Sequence, residues 1–287
     1  MRTLNYQLKV LCEHNRDGSY GNKQKRLKSL QKIANDLHAM GYVHMNAHSL
    51  KRKHVLALVE KWQRNKLSPR SQANNLAFIR WWAKKVGRSH VMYRTNLEYG
   101  IRGTSLRSKQ SKAWTMTPDQ LKQITDPHIK LSLRMQQAFG LRREESLKFQ
   151  ATYADHTDYI DLKGSWTKGG RPRQVPLTSI SQRPLLDEVA ELTGDGSLIP
   201  SHLSYVQQVN RYVKAIDRAG MRNTHGLRHA YAQQRYLMLT GWPCPYQGGK
   251  SPDEMTPEEF EIDQTARLEV SHELGHGRVG ITAVYIG

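Results

Sequence analysis

Cysteine is scarce in this sequence, which contains only Cys12 and Cys244, far apart in the chain. A disulfide framework and a cysteine-rich zinc site are therefore not expected. Long apolar runs are also lacking, since no stretch reaches the roughly 18 apolar residues that a membrane span needs. The first residues, Met1-Arg2-Thr3-Leu4-Asn5-Tyr6, lack the apolar core of a secretory signal. We accordingly expect a cytoplasmic protein with no membrane partner.

Acidic residues are rare in the first part of the chain. The 287 residues include 44 Lys and Arg against 25 Asp and Glu, for a net charge of +19. Residues 1–112 hold 24 of the basic and 5 of the acidic residues, whereas residues 113–287 hold 20 of each. The whole excess lies in the first part. Such a field favours a polyanionic partner, here duplex DNA, with an affinity that falls steeply as salt is added.

The chain is long enough for two domains, each with its own core. We predict that residues 1–101 form a basic helical bundle. One helix is indicated by an apolar stripe at Val55, Leu58, Val59 and Trp62. Another begins at Ser68-Pro69, where serine is a typical N-cap and proline a typical first residue. An earlier helix is expected over about residues 23–40.

Basic side chains on the outer faces of these helices suit contacts with DNA phosphates and the major groove. From the bundle we predict DNA contacts by Lys51, Arg52, Lys53, Arg70, Arg80 and Lys84. Residues 102–113 are polar and basic, which is typical of a linker. Within it, Arg107 and Lys109 are expected to face the DNA backbone.

Residues 114–287 are predicted to form a second, mostly helical domain. It begins with a capping box, in which Thr117 precedes Pro118 and Gln120 stands at the third helical position. A β-hairpin is expected between Asp158 and Leu177, with its turn at Gly169-Gly170. Further helices are expected at about residues 181–192, 203–220 and 224–239. The fold class is therefore mainly α (α+β), with one small antiparallel sheet.

Four short motifs follow one another in this second domain. They are Gly140-Leu141-Arg142-Arg143-Glu144-Glu145, Thr167-Lys168-Gly169-Gly170, His225-Gly226-Leu227-Arg228-His229, and Leu274-Gly275-His276 followed nine residues later by Tyr285. Together they supply a phenol, guanidinium groups and imidazoles, which is a set suited to phosphodiester chemistry without a metal. In order and spacing the motifs resemble those of the tyrosine recombinase (phage integrase) family.

The resemblance implies a set of catalytic residues, namely Arg142, Lys168, His225, Arg228, His276 and Tyr285, with Glu145 in a supporting role. Tyr285 would be the nucleophile, and the two arginines would stabilise the charge of the pentacoordinate phosphorane. Lys168 would be the general acid for the departing 5′ oxygen. The two imidazoles would bind the phosphate and assist proton transfer. Near the hairpin turn, Arg171 and Arg173 are expected to contact DNA.

By the same resemblance, residues 1–101 would be the core-binding domain and residues 114–287 the catalytic domain of a site-specific recombinase. Such an enzyme cleaves and rejoins duplex DNA through a 3′-phosphotyrosyl intermediate, during integration or excision of a mobile element. We expect a homotetramer on DNA, a monomer or weak oligomer when free, no cofactor, and association with bacterial or phage DNA. Two alternatives remain: relaxation of DNA in the manner of a type IB topoisomerase, and a DNA-binding regulator without catalysis.

Three further features bear on this interpretation. His272-Glu273-Leu274-Gly275-His276 matches the zinc-peptidase pattern His-Glu-x-x-His, but no His, Asp, Glu or Cys follows His276 as a third ligand. An insert at residues 241–263, rich in acid, is expected to form a surface excursion. Finally, many relatives carry a further helix beyond the tyrosine that docks on the next subunit, and we expect this protein to lack it.

Overall fold

In a computed structural model, the chain separates into two compact units, Met1–Ser105 and Leu106–Gly287. The structure describes residues 2–15, 17–103, 108, 110–277 and 279–287. Two predicted DNA contacts, Arg107 and Lys109, lie outside the described residues. Within the described ranges, no helix has the length and apolar character needed to cross a membrane.

The first unit is a bundle of helices: α1 (Thr3–His14), α2 (Tyr20–Ala39), α3 (Arg52–Arg64) and α4 (Pro69–Lys85). The helix α1 is an addition to the sequence prediction, and it packs on α2 through Leu4 and Leu8. The apolar stripe of α3 is confirmed, because all four of its residues are buried. Ser68 caps α4, since its hydroxyl accepts a hydrogen bond from the Ser71 amide.

The basic residues of this unit do not all lie free on the surface. Lys51, Lys53, Arg70 and Lys84 are exposed, as expected. Arg52 is also exposed, but it donates to the carbonyl oxygens of His90 and Val91 at 3.1 and 3.3 Å. Arg80 is half-buried, and its Nη1 donates to Asn96 Oδ1 at 2.7 Å. Arg80 thus holds the loop after α4, which differs from the expectation of a purely external side chain.

The second unit contains nine helices among its described residues and one hairpin. The helices are α5 (Pro118–Lys122), α6 (Pro127–Phe139), α7 (Arg143–Lys148), α8 (Ala151–Ala154), α9 (Gln182–Thr193), α10 (Tyr205–Arg218), α11 (His225–Thr240), α12 (Pro257–Glu273) and α13 (Val279–Ile286). The capping box at the start of α5 is present, since Thr117 and Gln120 each bond the other's amide.

The hairpin pairs β1 (Tyr159–Leu162) with β2 (Arg173–Pro176) in antiparallel register. Ile160 faces Val175 across the ladder, and both are fully buried against the helical core. Because side chains alternate between the faces of a strand, Arg173 lies on the same inward face as Val175. The small sheet therefore carries a guanidinium group into the core. The mainly helical fold with a small antiparallel sheet is confirmed.

Candidate active site

A buried carboxylate lies at the centre of the site. Glu145, in the first turn of α7, is fully buried. Its Oε2 accepts a hydrogen bond from the Arg142 amide at 2.7 Å, and its Oε1 accepts one from Arg142 Nη1 at 2.6 Å. Burial raises the pKa of Glu145, but the hydrogen bonds and charge of Arg173, with the charges of Arg228 and Arg142, bring it down to about 2. The carboxylate is therefore ionised at neutral pH.

Arg173 is a bidentate partner of that carboxylate. Its Nη1 and Nη2 donate to Glu145 Oε1 and Oε2 at 3.0 and 2.7 Å, and its Nε donates to the Glu273 carbonyl at 2.7 Å. Arg173 was expected to contact DNA, but here it is buried and its donors are engaged inside the protein. One signal in the sequence points to this arrangement, since the alternation with Val175 places position 173 on the buried face of β2.

Arg228 is fully buried within α11. Its Nη1 donates to the Gly140 carbonyl at 2.5 Å and lies 3.9 Å from Glu145 Oε2, while its Nη2 donates to the Leu274 carbonyl. Gly140 has a φ of +60°, and a Cβ there would lie 2.5 Å from the Tyr231 ring. Only glycine therefore lets this carbonyl approach the guanidinium. Burial and the charge of Arg142 lower the pKa of Arg228 to about 10, so it stays protonated at neutral pH.

Tyr285 lies next to these cationic groups of its own chain. Its side chain on α13 is 5% exposed, and its ring centroid is 5.7 Å from the Arg228 guanidinium carbon. The hydroxyl oxygen is 3.2 Å from His276 Nε2. The ring also packs on His229, with centroids 4.5 Å apart. Tyr285, the predicted nucleophile, thus lies beside Arg228 and His276, which were also predicted to be catalytic.

Three imidazoles surround the phenol. His225 and His276 have ring centroids 6.0 and 5.6 Å from that of Tyr285, and His229 lies 5.5 Å from His225. Burial is the largest cause that lowers their pKa values, to about 4 for His225 and His229 and about 3 for His276. The charges of nearby arginines add to this effect. All three rings are therefore neutral at pH 7, so each has one donor and one acceptor nitrogen.

Lys168 is the one predicted catalytic residue that the described contacts do not bring to this cluster. It is exposed in the turn between β1 and β2 and makes no hydrogen bond or ion pair with the described residues. Arg171, in the same turn, is also exposed. Gly169 and Gly170 both have positive φ, of +86° and +72°, which fits a tight turn. The ammonium group thus remains available to a ligand.

The His-Glu-x-x-His segment makes structural contacts and not the zinc site that its pattern suggests. Glu273 Oε2 accepts from the Tyr231 hydroxyl and Oε1 from Arg235 Nε, both at 2.8 Å. The side chain of His272 is exposed. No group of three or more metal-ligating side chains occurs in the part of the chain that the structure describes. Glu273 instead fixes α12 to Tyr231 and Arg235 of α11.

The insert at residues 241–263 is not simply a surface excursion, so that expectation is wrong for part of it. Cys244 is fully buried and belongs to the core that contains Tyr285. Asp263 is likewise buried and accepts a hydrogen bond from the Tyr236 hydroxyl at 2.6 Å. The exposed acidic residues of the insert are Asp253, Glu254, Glu258 and Glu261. Cys244 and Asp263 therefore anchor the insert, while Phe260 and Ile262 remain 42% and 44% exposed.

Two family models match the sequence. One, described as phage integrase, N-terminal, matches residues 1–92, and the other, described as integrase, matches residues 100–234. Together they span most of the chain, including most of the first unit and three of the four motifs. No match was found among curated proteins.

Solved structures give the same answer for the fold. The Tn1549 transposon integrase, in complex with circular intermediate DNA, superposes with a TM-score of 0.57 at 13% identity, covering 100% of this chain and 96% of the other. A lambda integrase dimer bound to a core site gives 0.59 at 16% identity, covering 99% and 77%. The XerH recombinase bound to palindromic difH gives 0.59 at 15% identity, covering 99% and 81%. At such identities the likeness concerns the fold.

Proposed function

The chain belongs to the phage integrase family of tyrosine recombinases, enzymes that cleave and rejoin DNA at specific sites, and on this premise we propose that Tyr285 is its nucleophile. The observation that carries the proposal is the 3.2 Å distance between the Tyr285 hydroxyl and His276 Nε2, beside the buried Arg228. A phenol, a neutral base and a fixed guanidinium thus meet in one chain.

In the proposed reaction, the Tyr285 oxygen attacks the scissile phosphorus. A P–O bond forms to the tyrosine, and the P–O5′ bond breaks, which leaves a 3′-phosphotyrosyl link and a free 5′ hydroxyl. Arg142 and Arg228 stabilise the negative charge that grows on the non-bridging oxygens. Arg142 is already held by Glu145, and Arg228 is held by the carbonyl oxygens of Gly140 and Leu274, so little reorganisation is needed as the charge develops. Attack by the 5′ hydroxyl of a partner strand reverses the step and rejoins the DNA.

The phenol must lose a proton in this step, because its oxygen forms the new bond to phosphorus. His276 is the nearest acceptor, at 3.2 Å. Burial is the largest cause that lowers the pKa of His276, and the positive charges of Arg228 and Arg142 come next. A phosphate bound between those arginines offsets their charge and therefore raises the pKa of His276. Substrate binding thus strengthens the base when it is needed.

Lys168 is proposed as the proton donor to the departing 5′ oxygen, as the family resemblance implies. Its exposed position in a turn with two glycines of positive φ supports a role that depends on bound DNA. His225, at the start of α11, is proposed to donate to a phosphate oxygen. Neither strand cleavage nor rejoining uses a cofactor, because the phosphotyrosyl bond conserves the energy of the phosphodiester.

The partner is duplex DNA, and we propose a homotetramer on it during strand exchange, in the cytoplasm of a bacterium or an infected cell. Structures of lambda integrase include a dimer on a core site and a tetramer on a Holliday junction. The exposed Lys51, Lys53, Arg70, Lys84 and Arg171 are proposed phosphate contacts. The family assignment favours integration or excision of a mobile element over relaxation of DNA or regulation without catalysis.

A nicked duplex substrate tests this proposal. Cleavage next to the nick releases a short oligonucleotide that diffuses away, so the covalent intermediate accumulates. We expect a DNA–protein adduct that survives denaturing electrophoresis, forms without ATP and persists when EDTA is added. If the protein binds its site but gives no adduct on any nicked version of it, the recombinase proposal is wrong and the DNA-binding regulator takes its place.

A further inference from the structure

The start of the insert packs on the end of α13, the helix that carries Tyr285. Cys244 is fully buried in the same core as Tyr285 and Ile286. Gly287 follows Ile286, and a Cβ on it would lie 2.9 Å from Pro245 Cβ and 3.0 Å from the Tyr246 amide nitrogen. The backbone at Gly287, two residues after Tyr285, is therefore in direct contact with the insert.

This part of the insert is folded tightly enough to serve as a support. The amides of Gln247 and Gly249 both donate to the Cys244 carbonyl, at 2.8 and 3.1 Å. A Cβ on Gly249 would lie 1.7 Å from the Pro243 carbonyl oxygen, so only glycine permits the turn. The Tyr246 hydroxyl donates to the Ser108 carbonyl at 2.7 Å, which anchors the far side of the turn.

Arg267 on α12 holds the end of α13 from the other direction. Its Nη1 donates to the Gly287 carbonyl at 3.0 Å, and its backbone carbonyl accepts from Thr282 Oγ1 at 3.2 Å. The guanidinium is fixed in turn by the buried Asp263, whose two oxygens lie 2.8 and 2.7 Å from its Nε. The start of the insert thus contacts the end of α13 directly, and Asp263 at the other end of the insert acts on it through Arg267.

A helix of 8 residues has little stability of its own, so its position depends on the contacts it makes. We propose that residues 243–249 and Arg267, the α13 seat, form a positioning element that keeps Tyr285 in the active site of its own chain. The inference rests on the proposed function, in which Tyr285 is the nucleophile. The seat acts through the helix and does not touch the reacting atoms.

Two glycines of α13 and its end offer a matched test. Gly287→Ala adds a methyl group that meets Pro245 and Tyr246, at a φ of +101° that disfavours any side chain. Gly280→Ala adds the same group at a position where nothing lies within 4 Å. We expect Gly287→Ala to slow single-turnover cleavage roughly tenfold to a hundredfold, as small misplacements of reacting groups do. Gly280→Ala should cleave at the wild-type rate.

Affinity for DNA should stay the same in both variants, because neither position is among the predicted DNA contacts. Gly287 is buried, so the urea midpoint of Gly287→Ala is measured to show that the variant is folded under the assay conditions. Adding Pro245→Gly, which removes the Cβ that the new methyl group meets, should restore part of the rate. The Pro245→Gly single variant is the control for that step. Such rescue separates a defect in positioning from a general loss of structure.

Two results would contradict the proposed role of the α13 seat. One is a wild-type cleavage rate in Gly287→Ala, and the other is a Gly287→Ala/Pro245→Gly double variant that remains as slow as Gly287→Ala. In either case the wild-type protein still forms its adduct, so the proposed function survives. If the wild type forms no adduct at all, the proposed function is wrong, and the proposed role of the α13 seat is wrong as well.

Discussion

Replacing Tyr285 with phenylalanine should abolish the covalent DNA adduct and leave DNA binding intact. The substitution removes only the oxygen that lies 3.2 Å from His276. The ring still packs on His229, whose centroid is 4.5 Å away, so the helix should keep its place. Loss of a nucleophile lowers a catalytic rate by about 10⁴-fold or more. The adduct on a nicked substrate, followed over time under single-turnover conditions, gives the rate.

Tyr159→Phe is the matched control for that loss. Tyr159 lies on β1, where its ring stacks on His156 and not on the imidazoles around Tyr285. It should cleave like the wild type. An adduct formed by Tyr285→Phe at more than a trace would mean that another residue attacks the phosphate, and the catalytic assignment would have to be abandoned.

Replacing Arg173 with methionine should give the second large effect, on the cleavage rate and not on DNA affinity. The change leaves Glu145 without its bidentate partner at 2.7 and 3.0 Å. Glu145 orients Arg142 and approaches Arg228, so both phosphate-binding groups should lose their positions. We expect cleavage at saturating DNA to fall by about 10²–10³-fold, as when a charge-stabilising donor is removed. Losing one partner of a buried ion pair should also cost about 3–5 kcal/mol of stability.

Arg171→Met provides the comparison, because Arg171 lies in the adjoining turn but is exposed. It should weaken DNA binding and reduce its salt dependence, with little change in the rate at saturation. Urea denaturation shows whether Arg173→Met is folded, and Arg173→Lys, which keeps the charge but loses the fork, should retain more activity and stability than methionine. If Arg173→Met only weakens DNA binding, as Arg171→Met does, the surface contact expected from the sequence is the correct assignment.

Much of the fold could be predicted because local patterns agree with it. The stripe from Val55 to Trp62 and the caps at Ser68 and Thr117 determine where α3, α4 and α5 lie, and each is a short-range signal. The hairpin between β1 and β2 follows from two glycines between short β-forming runs. The family resemblance, carried by motif order, then supplied the candidate catalytic residues.

The remaining features depend on contacts between residues that are distant in sequence. Whether an arginine near a hairpin turn meets DNA or a carboxylate is decided by Glu145, which lies 28 positions before Arg173. The insert was expected to be external because its acidic residues are unfavourable near DNA, but buried Cys244 and Asp263 determine how its ends pack. Composition averages over such a segment and therefore hides the residues that anchor it.

Identification of the residue bound to DNA tests the central claim most directly. The adduct trapped on a nicked substrate is digested with nuclease and protease, and the peptide that retains a nucleotide is sequenced by mass spectrometry. The chain has 13 tyrosines, so the result discriminates among many candidates. We expect a single modified peptide with the nucleotide on Tyr285, linked through the 3′ phosphate. A nucleotide on any other residue, or a link through the 5′ phosphate, would contradict it.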